Sequence, residues 1–371
     1  KRFIETIKNI WAISELKDKI LTTLGLLLIY RIGSTVLLPG VDPESLSQLQ
    51  AQTSEGLLGV LNAFTGGAFS RASVMALGIM PYISASIIIQ LMGMAVPAVQ
   101  KMQKDGESGR RKLNQITRYL TILIAGVQAP SYLANLSAQG VSLTLDPGTF
   151  WFLAWVTLTT GTIFAMWLGE RITDKGVGNG ISLLIMIGII ATFPQALIQE
   201  FVHPDSTIYF FLVEIAFFLI VIGASVALVQ GIRKVPVQMA KLQQADNMIP
   251  SGSGARSFIP LKVNSSGVMP IIFAQAIMFV PLYMTQSESL QGNAFLQSLS
   301  DFNGVGYNVL FFFMIVAFTY FYTAITVNPN QMADDLKRQN SFVPGIKPGR
   351  ATAEFLDEIL SKITLPGAIF L

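Results

Sequence analysis

Apolar residues along this chain come in runs of about twenty separated by short polar segments, a rhythm that predicts membrane-spanning helices. The runs cover about Ile20–Leu38, the uncharged stretch Ala72–Gln100, Tyr119–Asn135, Thr149–Leu168, Ile181–Ile198, Ile208–Val229, Ser265–Met284 and Tyr307–Val327. They are expected to form eight spans. A ninth run, Ile363–Leu371, has nine residues. At about 1.5 Å per residue it cannot cross a ~30 Å core, so the chain as given stops inside an element. Ahead of the first run, Phe3, Ile7, Ile10, Trp11 and Ile13 recur at helical spacing among charges, which suits an interfacial amphipathic helix.

The stretch Asn62–Leu91 departs from the regular pattern. It breaks at Gly66-Gly67, carries Arg71, and is interrupted by Pro81 once the apolar run has begun. Proline removes a backbone donor and clashes with the preceding turn, so Gly78–Pro81 marks a break or the first turn of a half-helix. Irregular backbone at membrane depth survives where protein or a water-filled cavity covers it, which makes this stretch a candidate pathway element. A proline-kinked helix that only packs is the alternative. Arg31 poses a similar choice. A charge at mid-span costs about 2.5–3.5 kcal/mol on insertion scales, so it should face a cavity or a partner, unless it snorkels to the outer interface.

Composition agrees with the pattern. The 371 residues are 51% hydrophobic and 13% charged, and mean hydropathy is +0.55, which together describe one helical membrane domain. Without cysteine, disulfides and thiol-held metals are excluded. A net charge of +3 is too small to argue for nucleic-acid binding. The mixed-charge Lys1–Lys19 has no cleavage-site pattern, so no removable signal peptide is expected. If the N-terminus lies inside, 23 of the 25 lysines and arginines fall on inner segments and only Arg31 and Arg71 do not, which fixes an N-in orientation.

Ile79 and Ile83 share a helix face, as do Ile181 and Ile185, and each pair follows a glycine-rich break; Ile272 comes two residues after Pro270. Such side chains either form a hydrophobic constriction that gates by dewetting or simply pack. Gln90, Gln128 and Gln275 lie within spans, where interhelical hydrogen bonds of about 0.6 kcal/mol close a seam without locking it. Enzyme chemistry finds no support in the spans. His203 is the single histidine and lies beside Pro204 in an outer loop, and no two acids share the spans. Gly176, Gly178 and Gly180 lack a phosphate-loop lysine and fit the start of a helix better. A secondary transporter of a small solute also uses broken helices, but it wants coordinating groups where this chain offers isoleucine.

Several blocks carry a resemblance. GGAFSRASVMALGIMPYISASIIIQL, KDGESGRRK, GTIFAMWLGERITDKGVGNGIS, PLKVNSSGVMP, FYTAITVNP and FVPGIKPG resemble, in order and over nearly the whole chain, the SecY family of bacterial protein-translocation channels. The resemblance implies an all-α polytopic membrane protein, a ten-helix inverted-repeat bundle, here lacking most of helix 9 and all of helix 10. Residues 1–198 form the N-terminal half, with helices 1–5 and a plug at about 56–70. Residues 199–371 form the C-terminal half, with cytosolic loops at about 231–264 and 328–362.

By motif position the resemblance places Ile79, Ile83, Ile181, Ile185 and Ile272 in a pore ring. The plug falls on Gly59, Val60, Leu61, Asn62, Ala63, Phe64, Thr65, Gly66 and Gly67. The lateral gate falls on Ser84, Ile87, Gln90, Gln128, Gln275 and Ile277. Docking of a motor or ribosome falls on Arg233, Lys234, Lys241, Arg256, Lys347 and Arg350. The function implied is a non-enzymatic channel that passes unfolded secretory polypeptides and releases signal sequences and transmembrane segments sideways into lipid. It would need no cofactor or metal. Implied partners are the small membrane subunits SecE and SecG, the motor ATPase SecA, the ribosome, signal sequences with their nascent polypeptides, and membrane lipid, with no sequence-specific nucleic acid. The implied location is the bacterial cytoplasmic (inner) membrane. Two positions depart from the family: Lys347 stands where an arginine is usual, and the preceding loop tip reads LQQADNMIP where paired arginines are usual. Lysine keeps the charge at 347 but lacks arginine's planar fork.

Overall fold

A computed structural model describes residues 11–43, 62–138, 144–202, 208–239, 257–285 and 304–371, with isolated positions 5, 46, 59, 141, 298 and 299. The chain divides into two compact units, Lys1–Asp205 and Ser206–Leu371.

In the first unit α1 spans Ser14–Gly33, α2 Met80–Ala95, α3 Pro97–Lys104, α4 Gly106–Ala138, α5 Pro147–Lys175 and α6 Gly180–Val202. Pro81 sits in the first turn of α2, where a missing backbone N–H costs nothing, so the break expected there is a helix start. Pro97 likewise begins α3, and it splits the uncharged run Ala72–Gln100 into two helices that meet at Val96, bent by 103°. The third span is longer than its apolar run. Its helix starts at Gly106, so the basic segment before Tyr119 is a helical extension and not a loop.

The core of this unit packs Leu38, Phe69, Ala72 and Leu77 against Ala129, Tyr132, Leu133 and Leu136 of α4 and Phe150, Ala154 and Leu158 of α5. Glycines allow the closest crossings. A Cβ on Gly161 would strike the Val74 carbonyl, and one on Gly180 would strike the Gly169 carbonyl, so α5 lies directly on both segments. At the polar end of α4, Arg118 grips Glu170 of α5 with two bonds, Nε to Oε1 at 2.9 Å and Nη2 to Oε2 at 2.8 Å. That fork and the charge of Glu170 hold the Arg118 proton more firmly than usual.

The glycine-rich turn before α6 is a capping device. Asn179 Oδ1 accepts from the backbone N–H of Ile181 at 3.0 Å and of Ser182 at 3.3 Å. Thr173 Oγ1 accepts from Gly180 N at 2.9 Å, and Thr23 Oγ1 on α1 accepts from Val177 N at 3.0 Å.

In the second unit α7 covers Ile208–Gln230, α8 Met269–Thr285, α9 Val305–Thr326, α10 Pro329–Arg338 and α11 Arg350–Phe370. Three strands, β1 Ile232–Met239, β2 Ser257–Lys262 and β3 Ser341–Phe342, form an antiparallel sheet in the order β2-β1-β3. Val235, Leu261, Val343, Leu356 and Leu360 form a small core of their own where this sheet meets α10 and α11. The described parts of the two loops read from sequence as polar connections at 231–264 and 328–362 therefore form one folded layer carried on a mostly helical body. The half-span at Ile363 is the last part of a helix that begins at Arg350.

Among the described residues four helices are long and apolar enough to cross a bilayer, or five if the bent pair α2–α3 is one span, so this is a multi-pass membrane protein. That is fewer than the eight runs counted in the sequence, for three local reasons. Helix α1 carries Lys17, Asp18, Lys19 and Arg31; half of α4 is polar; and the helix of the seventh run has 17 residues. Along α7 apolar residues such as Leu212, Phe217 and Ile220 are exposed on every side, as a lipid-facing helix requires.

Candidate functional site

Between α1 and α2 the described chain from Asn62 to Gly78 is helical at Asn62–Phe64 and then a chain of turns, tied together by its own polar groups. Gly67 N donates to Asn62 O at 2.8 Å, Ser70 N to Asn62 Oδ1 at 3.0 Å, and Phe69 N to Thr65 Oγ1 at 3.2 Å. Three positive φ angles, at Gly66 (+67), Gly67 (+83) and Gly78 (+54), let the backbone reverse in so little space. Ala72 takes the same left-handed region with φ 45, at a steric cost that glycine would avoid.

This segment has a fixed end and a lighter end. At Phe69–Val74, Leu38 N donates to Ala72 O at 2.8 Å and Val74 N to Val36 O at 2.9 Å, while the buried Tyr132 hydroxyl donates to Phe69 O at 2.8 Å. At Phe64–Gly66, where Thr65 is 2% exposed, one hydrogen bond from another element is present among the described residues. Arg31 Nη1 donates to Gly66 O at 3.1 Å. Arg31 therefore faces a protein partner, the first of the two possibilities its sequence position left. A Cβ on Gly188 of α6 would lie 2.5 Å from Phe64 O, and one on Gly78 would lie 3.1 Å from Thr65 Cγ2. Thus Phe64–Gly66 rests on Gly78, two residues before α2, and on Gly188 of α6 together.

Those are the helices that carry the isoleucine pairs. Ile79 precedes α2 and is 3% exposed, and Ile83, 6% exposed, donates its backbone N–H to Ile79 O at 3.1 Å. Ile185 lies one turn before Gly188 and is half-buried. Ile181 is placed differently. Its Cγ1 would lie 3.1 Å from a Cβ on Gly169, so this side chain leans on α5. Ile272 is buried in the second unit, near the start of α8. No distance among the five is needed to see that four belong to the first unit and one to the second.

Of the gate residues expected from sequence, Ser84 and Gln128 are half-buried, Ile87 and Gln275 buried, and Ile277 exposed. Gln90 bonds within its own helix, Nε2 to Ser86 Oγ at 3.3 Å, whereas the seam reading had it bonding between helices. Of the docking residues, Arg233 and Lys234 are exposed on β1, with the Lys234 ammonium 4.9 Å from the Phe258 ring centre. Lys347 is exposed while its carbonyl accepts from the buried Thr352 hydroxyl at 2.9 Å, and Arg350 pairs with Glu354 at 3.0 Å. Beside them a cleft of about 600 Å³ is lined by Pro260, Lys262, Thr326, Asn328 and Asp335. Val60, Leu61, Lys241 and Arg256 lie outside the described residues, as does His203.

Sequence reasoning missed the seat on Gly188 and the Tyr132 anchor. A glycine inside an uncharged span was the available signal for the first; nothing in the local pattern marks the second.

Known proteins share this fold. The SecY family model matches residues 73–371. The protein translocase subunit SecY of Streptomyces scabiei is 40% identical over 96% of this chain and 85% of its own length. A solved structure of the SecY protein, concerned with its plug domain and the closed state of the translocation channel, superposes with TM-score 0.63 at 17% identity, covering 95% of this chain and 83% of that one. Sec61 from the canine ribosome-channel complex of the endoplasmic reticulum superposes with TM-score 0.59 at 16% identity, covering 95% and 84%. With a family model over most of its length and a full-length relative at this identity, the chain belongs to the SecY family.

Proposed function

We propose that this chain is a protein-conducting channel. It passes unfolded secretory polypeptides across the bacterial cytoplasmic membrane, with its N-terminus in the cytoplasm, and releases signal sequences and transmembrane segments sideways into lipid through a lateral gate. One observation carries the reading. Within the turn segment, Phe64–Gly66 lies against Gly78 and against Gly188 of α6 at once, beside the helix starts that hold Ile79, Ile83 and Ile185. Apolar side chains at a narrow point disfavour water and ions, and a self-bonded plug over them adds a second barrier. The plug's lighter end, with one hydrogen bond from another element, is the end that would move. The proposed ring takes Ile79, Ile83, Ile181, Ile185 and Ile272 as members, with Ile181 also leaning on α5.

Nothing in this arrangement supplies energy, so the push comes from partners. The exposed basic positions Arg233, Lys234, Lys347 and Arg350 belong to the folded polar layer, which suits docking of a motor ATPase or the acidic surface of a ribosome. The relative in the canine complex sits on a ribosome, which agrees with the second of these. SecE, SecG and SecA complete the proposed assembly. The deciding experiment uses proteoliposomes holding the chain with its copurifying subunits, motor and ATP. An unfolded polypeptide with a signal sequence becomes protease-protected, and one without it does not. Saturable uptake of a small solute with no polypeptide protected would establish the transporter reading in its place.

A further inference from the structure

Arg31 and Gly188 are 157 residues apart in the sequence, yet both touch the same few atoms of the turn segment. The guanidinium of Arg31 donates to the Gly66 carbonyl at 3.1 Å. Gly188 meets the same turn backbone to backbone: a Cβ on Gly188 would lie 2.5 Å from Phe64 O and 3.3 Å from Gly66 N, and one on Gly66 would lie 3.0 Å from Gly188 Cα. No side chain of any size fits between them.

The chemistry of the Arg31 contact is informative. A cation within a span is costly, and a carboxylate would be its strongest partner. The partner here is a neutral carbonyl on a glycine with φ +67, in a segment whose next glycine has φ +83. A charge-assisted bond to a carbonyl holds a loop in place, yet it is broken at far lower cost than a buried ion pair. The other end of the segment is secured by Tyr132, Leu38 and Val36. Gly66 and Gly67, both at positive φ, lie where the held residues join the anchored ones and cost the backbone little to re-turn.

We propose that Arg31 and Gly188 are positioning residues that latch the plug shut, Arg31 by bonding the Gly66 carbonyl and Gly188 by admitting the Phe64–Gly66 backbone against α6. This rests on the channel reading above. An incoming polypeptide opens the channel by prising Phe64–Gly66 off Gly188, which breaks the Arg31 bond, while Phe69–Val74 stays in place.

Single-channel recording from planar bilayers tests it, using the protein with its copurifying subunits and no polypeptide added. Arg31→Gln and Gly188→Ala each raise the open fraction roughly tenfold, the population change expected from losing one charge-assisted bond or its seat. Arg31→Lys, which keeps a charged donor, raises it far less. Deleting residues 59–66 removes the latched carbonyl, so in that background Arg31→Gln and Gly188→Ala add nothing. General destabilisation would add to the leak in both backgrounds. An unchanged open fraction in the parent background, with the deletion leaky, overturns the latch alone, and so does an equal increase in both. A silent bilayer for every variant, including the deletion combined with Ile83→Ser and Ile185→Ser, overturns the channel reading itself.

Discussion

Tyr132 donates its hydroxyl to the Phe69 carbonyl at 2.8 Å, and the two rings meet edge to face with centroids 4.9 Å apart. One side chain on α4 thus makes both a polar and an aromatic contact with the end of the plug segment. Tyr132→Phe keeps the ring contact and leaves a buried carbonyl unpaired, at a cost of about 1–3 kcal/mol. The expected result is a lower thermal midpoint in detergent, with the polypeptide-free bilayer still sealed, because the lighter end keeps its own contacts. A midpoint unchanged from the parent would show that Phe69 needs no anchor.

Much of this architecture is legible in the residues. Long apolar runs mark α6, α7 and α9, even with Glu214 inside the second of these, and Pro81 marks the start of α2, because lipid demands long apolar helices and proline tolerates few positions. The folded polar layer was not legible, for a specific reason. Val235, Val237, Ile259 and Leu261 do alternate, but Pro236 and Pro260 interrupt both strands, and proline argues against a strand. Here Pro236 pairs with Phe258 and Pro260 with Lys234, and β3 adds only Ser341 and Phe342 beside Met239 and Gln238. At the site, the isoleucine pairs and the Gly66-Gly67 break could be read from the sequence. Contacts between distant backbones could not, since Gly188 looks like any small residue in a span until Phe64 is placed on it.

The N-in orientation yields a direct check. Basic residues crowd alternate polar segments, and exposed positions exist on both proposed sides. A cysteine replacing Gln238 on β1 is expected to react with a membrane-impermeant maleimide from the cytoplasm, and one replacing Ser137 near the end of α4 from outside. Labelling of both from one face would overturn the orientation.

Burial sharpens the test of a lateral gate. Ile87 is 8% exposed, Ile277 41% and Phe313 64%. If a signal sequence merely dissolves in lipid beside the protein, photo-crosslinkers at these positions capture it in order of exposure, Phe313 first. A gate that parts to admit it reverses the order, with Ile87 and Ile277 well ahead of Phe313. Capture that follows exposure would remove the gate from this seam.

Two barriers are proposed for ions, and separating them requires changing both. Ile83 is buried and Ile185 half-buried, whereas Ile181 leans on Gly169, so Ile83 and Ile185 are the pair whose polarity bears on the constriction. Deleting residues 59–64 leaves the isoleucines in place, and the neighbouring glycine-rich turns are free to refill the space, so sealing should be partial. Ile83→Ser with Ile185→Ser shortens both side chains and gives water hydroxyls to bind, which lowers the cost of wetting a hydrophobic neck. With the plug intact the leak should remain small. Combined with the deletion, the two serines are expected to give a steady polypeptide-free current larger than the separate changes together, because neither barrier then backs up the other. Each variant must retain its copurifying subunits and a thermal midpoint near that of the serine pair alone, so that current is not mistaken for collapse. A combined variant as tight as the parent would make these isoleucines ordinary packing residues and end the ring assignment.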